Sequence, residues 1–211
     1  MSQPDTKQRI LDAAEELFAR CGFHATSLRA ITQAAGANLA AVNYHFGSKE
    51  SLLDAVLARR LTPLNTVRQA RIDQVQEEAR AAGRKPDLSS LWRAFVEPTL
   101  SLRQEDSGAE SFLTLIGQVL ADTHGVMMAS FLRQMAPLFL RLYDLTCQAL
   151  PGIPRQLLFW RMHFAIGSLS HLMRCNDQSP VMPEGVTKEI DVAVLTDMLI
   201  DYTLAGLEAP Q

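Results

Sequence analysis

The sequence predicts an all-α fold, and three observations carry that expectation. Apolar residues recur at three- and four-residue steps along almost the whole of the 211-residue chain. No stretch shows the sustained period-2 alternation with β-branched residues that a strand needs. Glycine, proline and short polar side chains fall between the periodic runs, where helix starts and stops require them.

Taken in order, the first helix is expected over residues 5–21. Ile10, Ala13, Ala14, Leu17 and Phe18 form its apolar face, Asp12, Glu15, Glu16 and Arg20 sit off that face, and Gly22 ends it. Thr26 and Ser27 offer N-cap oxygens for a short helix reaching Ala35, and Gly36 supplies the permissive backbone of a tight turn. Asn38 caps a third helix, Leu39 to Phe46, which Gly47 breaks. Ser48, with Ser51 beyond it, starts a long helix to about Ala82 that bends near Pro63. After a loop holding Gly83 and Pro86, Asp87 caps a helix over 88–102. Four further helices are expected over 109–122, 125–150, 155–174 and 187–207, with a kink at Pro137.

Composition narrows the function. A hydrophobic content of 47% and a net charge of −3 describe a globular chain that is not coated in positive charge, so any nucleic-acid contact must be local. Such a place exists: residues 21–49 contain Arg29 and Lys49 but no Asp or Glu. Cys21, Cys147 and Cys175 lie far apart with no C-x-x-C pair, and no signal-type apolar stretch opens the sequence, so a cytoplasmic setting is expected. The most apolar run, Leu157 to Met173, is interrupted by Arg161, His163 and His171, and no membrane span is expected. His163, His171 and Cys175 share a helix face but lack an acidic or cysteine partner at metal-motif spacing, so neither a metal nor a cofactor is expected. No nucleophile triad, P-loop or dinucleotide motif stands out, so the chain is not read as an enzyme.

The informative stretch runs from Thr26 to Phe46: two short helices around a glycine turn, which is helix-turn-helix geometry. Leu28, Ile31, Ala34, Ala35, Ala37 and Val42 are expected to pack the pair against the first helix. The other face is left small and polar, narrow enough for a DNA major groove. Spacing alone leaves an ordinary helical hairpin open. The wider run from Ile10 to Leu53 is more specific: Leu-Phe-x-x-x-Gly-Phe, then Thr-Ser-Leu-Arg-x-Ile, then Ala-Gly-x-Asn, then Tyr-His-Phe-Gly-Ser-Lys-Glu-x-Leu. It resembles the DNA-binding domain of the TetR family.

That resemblance implies an N-terminal three-helix DNA-binding domain, residues 1–50, and a C-terminal helical domain, residues 51–211, for effector binding and dimerisation. Carried over position by position, it assigns Thr26 and Ser27 to phosphate contact. Arg29 goes to a phosphate or a base edge. Asn38 caps the recognition helix, Leu39, Ala40, Ala41 and Asn43 face bases, and Tyr44, His45 and Lys49 clamp the backbone of double-stranded operator DNA. Phe46 is read as a core aromatic. Because Leu39 and two alanines stand where polar readers are common in the family, base readout leans on Asn43, on Arg29 and on apolar contact with thymine methyls.

The resemblance also implies a homodimer through the last two long helices. Leu158, Met162, Ala165, Ile166, Leu169, Leu172 and Met173 on the first, with Ile190, Val194, Leu195, Met198, Leu199, Tyr202 and Leu204 on the second, are too many for one core-facing stripe. The segment Leu157 to Phe164, with Asn38 to Asn43, resembles a TetR subgroup that responds to fatty acids or their coenzyme A esters. A small hydrophobic or amphipathic effector is therefore expected among Trp92, Phe95, Phe112, Ile116, Phe131, Met135, Phe139, Trp160 and Phe164, with Arg161 or His163 as a polar anchor. A helical small-molecule-binding dimer without operator recognition and a helical lipid carrier share the apolar C-terminal sequence and stay open.

Overall fold

The computed structural model describes residues 5–102, 107–122, 125–174, 183–185 and 190–210, and every regular element among them is an α-helix. In chain order these are α1 (Thr6–Cys21), α2 (Leu28–Ala34), α3 (Leu39–His45), α4 (Lys49–Ala81), α5 (Leu88–Ser101), α6 (Ser107–Ala121), α7 (Val126–Ala149), α8 (Arg155–Arg174) and α9 (Val192–Glu208). Pro63, Pro98 and Pro137 lie inside α4, α5 and α7.

The helix starts rest on the side chains that the sequence nominates. Ser27 accepts from the Ala30 amide at 3.1 Å, Asn38 from Ala41 at 2.8 Å, Ser48 from Ser51 at 3.0 Å and Asp87 from Ser90 at 2.8 Å. At α9 the cap is Asp191, whose carboxylate accepts from Ala193 at 2.7 Å. The expected start at 187 lies outside the described residues, as do Arg103–Asp106 of one expected loop and most of the α8–α9 connection.

The chain divides into two compact units, one of Met1–Pro63 with Asp106–Met135 and another of Leu64–Glu105 with Ala136–Gln211. The boundary thus falls inside α4. In the first unit α1, α2 and α3 pack on one another around Ile10, Ala14, Phe18, Phe23, Ile31 and Val42, all buried. Leu52, Leu53, Val56 and Leu57 at the start of α4 are buried in the same unit. There α6 lies against α1, where the Gln118 amide donates to the Ala19 carbonyl at 2.6 Å. In the second unit α9 packs on α5 and α8, burying Leu91, Trp92, Leu158, Met162, Leu169, Leu199 and Ile200. Of the expected helix-turn-helix packing residues, Ile31, Ala35 and Val42 are buried and Leu28 and Ala37 half-buried, while Ala34 is exposed. Its neighbour Ala35 takes the inward position at the end of α2.

Candidate nucleic-acid interface

The geometry of α2, the turn and α3 follows from a few local contacts. Gly36 adopts φ +58°, a left-handed conformation that favours glycine, and so turns the chain between the helices. Arg9 of α1 donates to the Gly36 carbonyl at 3.4 Å, which braces that turn from the side. Val42 is fully buried and anchors α3 to the core beneath it. Because α3 is held by that one inward side chain, its other face is free: Asn38, Leu39, Ala40, Asn43 and Tyr44 are exposed and Ala41 half-buried.

Tyr44 is 85% exposed, so its ring is open to a partner and packs in no core. Phe46, expected in the core, is only half-buried. His45 is half-buried, with its ring centroid 5.1 Å from that of Tyr44. Lys49 folds over the Phe23 ring at 4.4 Å and donates to the His24 carbonyl at 3.4 Å, so its ammonium is held beside the α1–α2 connection. Ser27, the N-cap of α2, and Arg29 in its first turn are both exposed. Thr26 is different. It is buried, and its hydroxyl donates inward to the Leu17 and Gly22 carbonyls at 3.1 and 2.7 Å, which commits that group to closing the end of α1. The phosphate role expected of the Thr26 side chain therefore finds no exposed donor.

The expected effector residues fall into three groups. Trp92 and Phe95 are buried in the second unit, with ring centroids 6.4 Å apart, and Phe112, Ile116 and Met135 are buried in the first, where Phe131 is half-buried. Phe139 is half-buried against Phe159 and His163, at 6.4 and 5.5 Å between ring centroids. Trp160, His163 and Phe164 are exposed, because Leu158, Met162, Ala165, Leu169 and Met173 take the inward stripe of α8 and leave these three on its outer side. They do not line a closed interior. Arg161 is spoken for as well, donating to the Leu207 carbonyl at 2.8 Å and to the Pro210 carbonyl at 3.3 Å, where it satisfies the C-terminal end of α9. Of the metal set considered from sequence, Cys175 lies outside the described residues.

Comparison with known proteins decides the family. The model for bacterial regulatory proteins of the tetR family matches residues 10–56, and the model for the tetracyclin repressor-like C-terminal domain matches residues 93–206. This chain belongs to the TetR family. Over 56 residues it is 41% identical to the transcriptional regulator UidR of Escherichia coli, covering 26% of this chain and 28% of that one. It is 32% identical over 102 residues to the nicotine-responsive transcriptional repressor HdnoR of Paenarthrobacter nicotinovorans, covering 48% of this chain and 52% of that one. The chain thus aligns with only about half, or less, of the length of these curated relatives. Its fold is similar to that of NalD, the secondary repressor of the MexAB-OprM multidrug efflux pump in Pseudomonas aeruginosa, with a TM-score of 0.66 at 22% identity over 98% of both chains.

Within this TetR-family fold, two buried charged residues, Glu15 and Arg68, escaped sequence reasoning. Glu15, placed off the apolar face of the first helix, is 3% exposed and binds both Arg59 and Arg60 of α4, the latter at 3.2 Å, while Arg59 also binds Asp12. Its signal was position: it follows Leu11 by four residues and precedes Phe18 by three, which sets it on the buried side. Arg68 follows Leu64 and precedes Ile72 by four residues each, and is buried with them. Its guanidinium donates to the Phe95 carbonyl at 3.0 Å, to the Asn65 side chain at 2.9 Å and to the Thr99 hydroxyl, and stacks over the Phe95 ring at 4.4 Å. Burial pushes its pKa down to about 9, so it stays charged at neutral pH.

Proposed function

We propose that this chain is a homodimeric repressor that reads a palindromic operator through α2 and α3 and is released by a small hydrophobic or amphipathic ligand. The observation that carries this reading is α3: it presents Leu39, Ala40, Asn43 and Tyr44 outward while Val42 alone is fully buried beneath it. A helix with so small an outer face enters the major groove, where Asn43 can pair with an adenine edge and Leu39 and Ala40 can meet thymine methyls. Ser27, Tyr44, His45 and Lys49 supply phosphate contacts that set register, and Arg29 serves either role. On this reading residues 1–50 form the reading head, and residues 51–211 carry effector binding and pairing.

Pairing follows from DNA geometry. A single half-site gives weak affinity, and two heads must enter grooves one helical turn apart, which a two-fold pair achieves. The exposed apolar side chains of α8 and α9, among them Trp160, Phe164, Val194, Met198 and Tyr202, supply the surface for that pair. Trp92 and Phe95 supply apolar contact for the effector, and fatty acids or acyl-coenzyme A esters are the class the sequence favours. Release requires the ligand to bind the DNA-incompetent conformation more tightly than the competent one. Among the described residues no helix is long and apolar enough to cross a membrane.

The test is selection of binding duplexes from a random pool with the purified chain, followed by release assays against fatty acids, acyl-coenzyme A esters and aromatic compounds. A palindromic motif bound by two subunits supports the proposal. Equal recovery of all sequences would favour a ligand-binding dimer that does not read DNA.

A further inference from the structure

An amphipathic ligand bound among apolar side chains needs a polar group to hold its head. The two anchors that the sequence nominates are not placed for it: Arg161 is committed to the carbonyls at the end of α9, and His163 stands on the outer side of α8. Trp92 of α5 is 1% exposed, and its indole N–H meets no acceptor. Among the described residues three other buried side-chain atoms lack a partner, Arg59 Nε and the hydroxyls of Thr146 and Thr203. Arg59 is held through its other two nitrogens, and a hydroxyl both donates and accepts and turns about its bond to suit its surroundings. An indole N–H only donates and is fixed in the plane of a rigid ring, so an acceptor must come to it.

Buried donors in native proteins are nearly always paired, because leaving one dry costs roughly a factor of ten in stability. A lone water does not answer here. It needs two or more polar partners, whereas Leu88, Phe95 and Val96, one turn to either side of Trp92 on α5, are apolar and buried. An acceptor carried on an apolar body meets both demands, pairing the N–H and covering the side chains around it. We infer that Trp92 anchors the effector, its indole N–H donating to a carbonyl or carboxylate oxygen of a ligand that is otherwise apolar. This rests on the proposed effector binding at Trp92 and Phe95, and adds to it the atom that reads the ligand's head. A hydrocarbon or a cationic head offers the N–H no lone pair and is discriminated against, as a site built to donate rejects the analogue that cannot accept.

The chain has two tryptophans, Trp92 and Trp160, so its indole N–H groups give two nitrogen–proton correlations in an NMR spectrum of the full chain. That of Trp92 is the one lost in Trp92→Phe or, should that variant not fold, the one that survives in Trp160→Phe. Decanoate, methyl decanoate and decyltrimethylammonium share one apolar tail, and only the first two carry an oxygen acceptor. These two are expected to move the Trp92 indole proton downfield, as a new hydrogen bond does, while the ammonium leaves it in place. Calorimetric titration should show Trp92→Phe, which keeps an aromatic ring but no donor, binding the oxygen-bearing probes roughly tenfold more weakly than the parent, with far less change for the ammonium. Binding of decanoate alone with that shift assigns the free acid, and of methyl decanoate alone the ester. Oxygen-bearing probes that bind without moving the resonance, an equal shift with all three probes, or equal affinity in parent and Trp92→Phe would overturn the anchor while leaving the effector site in place. If none of the three binds the parent, the apolar-chain effector falls and the anchor with it.

Discussion

Lys49 and Tyr44 both stand on the outer side of the reading head, yet their removal should leave different thermodynamic signatures. Lys49→Met keeps an aliphatic stem over the Phe23 ring, on which the ammonium now rests at 4.4 Å, and deletes only the charge. Each head then neutralises one phosphate fewer, and a dimer two fewer. The slope of log K against log salt should flatten by about 1.8, from about 0.9 for each lost contact. Between 50 and 200 mM salt the affinity gap between parent and variant should therefore shrink by roughly tenfold. Tyr44→Phe removes a neutral donor instead. A hydrogen bond to a charged acceptor contributes about 1.5 kcal/mol, so losing two costs about 3 kcal/mol, or roughly 100-fold in affinity, with the salt slope unchanged. Because Tyr44 is 85% exposed, its replacement should leave stability within about 0.5 kcal/mol of the parent. Fluorescence anisotropy with a selected duplex at four salt concentrations reads both effects. Equal slopes for the parent and Lys49→Met would refute the phosphate assignment of Lys49, and a flattened slope for Tyr44→Phe would refute the division between charged and neutral contacts.

Three other outcomes follow from the same structure. Asn43→Ala is expected to cost about 1–3 kcal/mol on the preferred duplex and much less on a scrambled one, so a competition gel shift should show relaxed sequence preference. Glu15→Ala leaves Arg60 without its carboxylate on α1 and Arg59 with Asp12 alone; with both arginines still partly in water, a loss of about 2–3 kcal/mol is expected in urea unfolding. Asp87 caps α5 through the Ser90 side chain and amide, which hold its carboxyl below the ordinary carboxylate range. A depressed folded-state pKa stabilises above the unfolded value near 3.9 and ceases to do so as pH falls through the folded one. Asp87→Ala should thus cost about 1 kcal/mol at pH 7, and the difference in melting temperature from the parent should close below pH 4.

What the sequence revealed, and what it hid, divides along physical lines. Helix limits were legible because they are set by neighbours in the chain: Ser27, Asn38, Ser48 and Asp87 cap where their oxygens can reach the third amide onward, whatever the tertiary fold. The outer face of α3 was legible for the same reason, since one buried valine fixes which residues turn outward. Side chains that choose between two long-range partners were not. Thr26 resembles a cap in isolation but its hydroxyl is drawn to carbonyls at the end of α1, and Glu15 resembles a surface carboxylate until α4 brings two arginines to it. On α8 the surplus of apolar residues was legible but not its division: Leu158, Met162 and Leu169 turn into the subunit, and Trp160 and Phe164 turn out of it. A helix apolar on two faces does not state in sequence which one its own chain will cover.

The central claim is that two copies of α3, held at fixed spacing, enter one duplex. Its most direct measurement is the stoichiometry and half-site spacing of the complex with a selected duplex, by analytical ultracentrifugation and by inserting base pairs between the half-sites. Two subunits for each short palindrome, with affinity collapsing when about five base pairs rotate one half-site to the opposite side of the helix, is the predicted result. One subunit per site, or indifference to the insertion, would contradict it.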